Sequence, residues 1–101
     1  MTENEFWQKL RENHIKLSSR YHVGEYVCDP ENGRYQGHTG IYNEYDDQWE
    51  IYTNGIPGPM DKSEAYDSVS IYVGTEEDAF DKFYQIVTGK IDMWDLAEKS
   101  I

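Results

Sequence analysis

Gln48-Trp49-Glu50-Ile51-Tyr52-Thr53, followed by Asn54-Gly55, decides the fold. Trp49 and Ile51 share one parity, Glu50 and Tyr52 the other, so the stretch predicts a strand with two unlike faces. Asn54-Gly55 supplies the positive φ that ends it. Upstream, Asn43-Glu44-Tyr45-Asp46-Asp47 is a polar connection to a second predicted strand over Arg34–Tyr42. Gly37 and Gly40 soften that strand, and either can mark a bulge. Further back, Tyr21–Cys28 predicts another strand, joined to it through the turn Asp29-Pro30-Glu31-Asn32-Gly33. Downstream, Ser68–Val73 predicts a strongly alternating fourth strand. The connection between Thr53 and Ser68 is long enough to be either a functional loop or a plain surface crossover.

With every strand regular, Val23, Val27, Ile41, Trp49, Ile51, Val69, Ile71 and Val73 point one way and form the core face. The opposite face then carries Tyr26, Tyr42, Tyr52 and Tyr72, one tyrosine per strand, with Gln36, Glu50 and Ser70.

Helices flank the strands. Thr2 with Glu5 is a capping-box pattern, and Phe6 and Leu10, with Trp7, His14 and Leu17, follow at helical spacing. Thr75 is a good N-cap, followed by Glu76, Glu77 and Asp78 where the helix dipole favours anions. Ala79, Phe80, Phe83, Tyr84 and Val87 make the apolar stripe, and Gly89 stops the helix. Asp92 caps a short last helix with Ile91 and Leu96 as its staple. The expected fold is a single α+β domain over residues 1–101. It has about four strands in a mainly antiparallel sheet, one N-terminal helix and two C-terminal helices, because most connections are short.

Composition fits one domain: the chain has 101 residues, nine Lys+Arg against twenty Asp+Glu, and a formal charge of -11. A mean hydropathy of -0.87 raises the question of disorder. Nine Tyr, three Trp and three Phe answer it with a thin, aromatic core. No apolar run reaches the roughly 20 residues of a membrane span. Met1-Thr2-Glu3-Asn4-Glu5 is acidic where a signal peptide is basic, and Cys28 is the lone cysteine. Both features place the chain in a reducing cytoplasm as an expectation. An acidic chain lacks the Lys and Arg that phosphate contacts need, so nucleic acid is not an expected partner.

Chemistry has little to work with. Cys28 and His22 on one strand stand about 20 Å apart. His38 on the neighbouring strand comes closer, but no third group is placed to orient the pair. Three histidines at 14, 22 and 38 lack metal-ligand spacing. Asp29–Gly33 is too short for a calcium loop, and no Gly-rich phosphate loop is present. The expectation is a non-enzyme with no catalytic residues, no cofactor and no metal.

Charge is uneven instead. Residues 35–89 hold eleven acids but only two bases, Lys62 and Lys82, alongside Tyr35, Tyr42, Tyr45, Tyr52, Tyr66, Tyr72 and Tyr84. Tyrosine gives large contact area at low entropic cost, and neighbouring acids attract a basic partner. The expected binding residues are Glu44, Asp46, Asp47 and Glu50 as the charged rim, with Tyr45 and Tyr52 as aromatic anchors. Trp49 is assigned to the core.

Gln48-Trp49-Glu50-Ile51-Tyr52 and Thr75-Glu76-Glu77-Asp78-Ala79-Phe80-Asp81-Lys82-Phe83 resemble, in style and over roughly residues 41–87, bacterial immunity proteins of polymorphic and contact-dependent toxin systems. Those proteins often carry an Arg-Gly or other charged pair after the Trp strand. Here Asn54-Gly55-Ile56-Pro57-Gly58 stands instead. The resemblance implies a cytosolic inhibitor that binds a cognate toxin domain, often a nuclease with a basic cleft, and contributes no catalytic residues. Two other readings stay open: a DNA mimic that inhibits a DNA-binding protein or nuclease, and a non-catalytic adaptor for a basic host protein.

Overall fold

The computed structural model describes residues 1–18, 21–24, 39–45, 47–53 and 69–92. Their order is α1 (Glu3–Glu12), β1 (Tyr21–Val23), β2 (Thr39–Tyr45), β3 (Gln48–Thr53), β4 (Val69–Gly74) and α2 (Glu76–Val87). The α+β class is as expected. The strands form one sheet in the order β1-β2-β3-β4.

The sheet is mixed. β2–β3 and β3–β4 are antiparallel, but β1 runs parallel to β2, with Tyr21 opposite Thr39 and Val23 opposite Ile41. A tight hairpin cannot make a parallel pair, which needs a long crossover. Here residues 24–38 separate the two strands. β1 is correspondingly short, and the expected turn at 29–33 lies outside the described residues. Among the described residues one helix follows the sheet where two are expected. The second, capped by Asp92, would fall on residues 93–101, outside the described residues.

Both helices begin as their sequences dictate. The Thr2 hydroxyl accepts from the Glu5 amide at 3.2 Å, and the Glu5 carboxylate accepts from the Thr2 amide at 2.9 Å. These bonds hold the Glu5 carboxyl below its usual range. The Thr75 hydroxyl caps α2 by accepting from the Asp78 amide. Past α2, Gly89 takes φ +76°, the left-handed conformation that glycine enters freely.

The core lies between the helices and one sheet face. Ile41, Ile51 and Ile71 pack with Phe6, Leu10, Ala79, Phe80, Phe83 and Ile86. Phe6 stands 5.4 Å from Phe80 and 5.5 Å from Phe83, and Trp49 lies edge-on to Phe80 at 4.9 Å. Thr39 and Thr53, opposite each other and buried, bring their hydroxyls within 3.2 Å. Trp49 thus belongs to the core side.

Parity breaks in β4. Ile51 pairs with Tyr72 but Tyr52 pairs with Ser70, so Ile71 is an extra residue, a bulge. Beyond it every side chain changes face. Tyr72, expected on the open face, packs against the core, and Val73, expected in the core, is 48% exposed. A second bulge passes over Glu44 between Asn43 and Tyr45.

The face turned away from the helices keeps two of the expected tyrosines. Tyr42 and Tyr52 meet edge-on at 5.3 Å. Tyr52 lies across Gly40, its partner on β2, where a Cβ would come within 2.6 Å of the ring. Gly40→Ala therefore has to displace Tyr52, at an expected cost of about 1–3 kcal/mol in denaturant unfolding. In a Tyr52→Ala background that cost should largely vanish; an unchanged cost would place the strain elsewhere.

Candidate functional site

Acids from three separate segments lie toward one end of the sheet. Trp49 is paired with Gly74, which sets the β2–β3 turn beside the start of α2. Asp47 is exposed in that turn, and Glu76, Glu77 and Asp78 form the first turn of α2. The Glu3 amide donates to Glu76 Oε2 at 3.0 Å, which brings the N-terminus of α1 to the same place. Both helix dipoles thus turn their positive ends toward this region. Each first-turn acid stabilises its own helix by about 0.3–1 kcal/mol, so Glu76, Glu77 and Asp78 have a structural role there. Asp47 and Glu50 lie outside any helix.

The Met1 ammonium partly neutralises the zone. It donates to Asp81 Oδ1 at 2.6 Å, to Glu77 Oε2 at 2.9 Å and to the Glu77 carbonyl at 3.1 Å. Burial opposes its charge, but the hydrogen bonds and charges of Asp81 and Glu77 outweigh burial and raise its pKa above 8.0. The stabilisation is complete below the unfolded value and disappears as pH rises through the folded one. Melting temperatures of the free and N-acetylated chains should therefore differ at pH 7 and converge in strong alkali. A gap that persists there would mean that charge is not the cause. The Tyr72 hydroxyl is pushed up by burial and by Asp78 and Asp81, a second sign of negative potential at this end.

The sequence-derived site residues fare differently. Glu44 and Tyr45 occupy the last two backbone positions of β2. Asp46 lies outside the described residues. Asp47 is exposed. Glu50 is half-buried, and its Oε2 accepts from the Tyr42 hydroxyl at 2.9 Å. Tyr52 is only 6% exposed, with its hydroxyl directed at the Gly24 carbonyl at 3.4 Å. As an anchor it offers a partner little surface; it supports Tyr42 from the side instead.

Val73 is the residue that sequence parity misplaced; Tyr42 was put on the correct face by parity but was not among the expected binding residues. Tyr42 and Glu50 are opposite each other, as are Glu50 and Val73, so the three side chains form a row across β2, β3 and β4. Only the bulge at Ile71 places Val73 in that row, and alternation alone carries no signal for it.

Among the described residues, no group of three or more His, Cys, Asp or Glu side chains is arranged to hold a metal ion. No described helix is long and apolar enough to cross a membrane. Cys28 and His38 lie outside the described residues. The shallow depression along α1, lined by Glu5, Gln8, Lys9 and Glu12 among others, holds no nucleophile paired with a base. No protein-family model matches the chain, and neither does any curated protein or solved structure.

Proposed function

We propose that this protein is a cytosolic immunity protein, which binds a basic toxin domain and blocks it without catalysis. The observation that carries the reading is the placement of Asp47, Glu76, Glu77 and Asp78 toward the same end of the sheet, from segments far apart in sequence. Solubility alone asks only for dispersed charge. Converging carboxylates make a directed field that steers a cationic partner and speeds encounter. Beside them, the face carrying Tyr42, Glu50 and Val73 is turned away from both helices and offers polar and apolar contact together. That mixture suits a protein partner better than mimicry of DNA, which asks for carboxylates at phosphate-like intervals.

The test is a rescue assay. The chain is co-expressed with the product of each gene adjoining its own, and growth is measured. Rescue from one toxic neighbour, with a co-purifying complex, is the expected result. Salt-sensitive binding to many unrelated DNA-binding proteins would instead indicate a DNA mimic. Capture of a single non-toxic basic host protein would indicate an adaptor.

A further inference from the structure

We infer that the row Tyr42–Glu50–Val73 is a seat for one arginine side chain of the partner. The inference rests on the cation-binding function proposed above and narrows its chemistry. Partner residues on adjacent antiparallel strands stand about 5 Å apart at Cβ, so one long side chain laid across the strands spans all three.

Each position contributes something different. Val73, 48% exposed, offers an apolar rest for an aliphatic stem. Glu50 offers the counter-charge. The Tyr42 hydroxyl, 2.9 Å from Glu50 Oε2, holds that carboxylate in one orientation before any partner arrives. Among the described residues Glu50 Oε1 has no protein partner, and Oε2 retains a second lone pair. The carboxylate therefore still has room to accept both N–H groups of a guanidinium fork.

Lysine also has a long stem and a positive end. Glu50 is half-buried, however, so its partner has to shed water. Guanidinium is less strongly hydrated than ammonium and matches a fixed carboxylate with two parallel donors. A second copy of this chain is a poor occupant, because two molecules of formal charge -11 repel.

The experiment uses capped Gly-Arg and Gly-Lys repeat peptides of equal length and charge, titrated into the isotope-labelled full chain by NMR. The Gly-Arg peptide should bind about fivefold more tightly, with its largest shifts at the amides of Tyr42, Glu50 and Val73. Glu50→Gln, which keeps the shape and an acceptor for Tyr42, should abolish that preference. Asp47→Asn should weaken both peptides by the same factor. Equal affinities, or an arginine preference that survives in Glu50→Gln, would overturn the seat while leaving the wider cation-binding surface standing. If neither peptide binds even at low salt, the wider reading falls as well.

Discussion

Phe6→Ala should cost about 3–5 kcal/mol of unfolding free energy. Phe6 is fully buried and contacts Trp7, Phe80, Phe83 and Tyr84 at ring-centroid distances of 5.3 to 6.4 Å. It is the main apolar link between α1 and α2. Its removal loses the transfer free energy of the ring and leaves a cavity that rigid aromatic neighbours close poorly. A domain of this size has about 5–15 kcal/mol in total, so the variant stands near the edge of folding. Urea unfolding measures the effect through the midpoint, with an unchanged slope. Phe6→Leu, which retains much of the volume, should lose far less. A midpoint unmoved by Phe6→Ala would mean that α1 does not pack as described.

The second large effect is on association. Asp47→Lys combined with Glu50→Lys should lower affinity for the proposed cationic partner at least about tenfold, chiefly by placing like charges face to face. The two positions differ in character. Asp47 is exposed, so its reversal acts mainly on the rate of encounter and on salt dependence. Glu50 is half-buried and bonded to Tyr42, so its reversal also breaks a defined contact. The melting temperature should change little for Asp47→Lys alone. Full growth rescue by the double variant, at unaltered expression, would remove this end of the sheet from the binding surface.

Local signals were legible in the sequence wherever one residue satisfies its near neighbour. Thr2 with Glu5, Thr75 with Asp78 and the stop at Gly89 are of this kind, because a cap involves residues within a turn of one another. The alternation of Trp49 and Ile51 likewise pointed to the core. Pairing between distant segments was not legible. The parallel partnership of β1 with β2 joins segments separated by fifteen residues in the sequence, and nothing within Tyr21–Val23 announces it. The bulge at Ile71 is fixed by the partner strand β3, so Tyr72 and Val73 exchange faces with no trace in their own alternation. For the proposed site, the sequence placed Asp47 in the turn before the Trp49 strand and Glu50 in that strand, where the structure has them. The placement of Asp47 at the same end as Glu76–Asp78 depends on Trp49 lying opposite Gly74, which only the assembled sheet supplies.

The connectivity also carries an expectation about the order of assembly. β2 and β3 are joined by a tight turn, β4 runs directly into α2, and α2 packs on β2, β3 and β4. The β2–β3 and β4–α2 connections are the shortest and the least costly to close, whereas α1 is separated from α2 by residues 13–75. The first helix is therefore expected to dock last, after β2 and β3 have paired and α2 has packed on the sheet. Contacts made late are lost early, so Phe6→Ala should accelerate unfolding far more than it slows folding. On that expectation the proposed binding face, carried by β2, β3 and β4, takes shape before the hydrophobic interior behind it is closed.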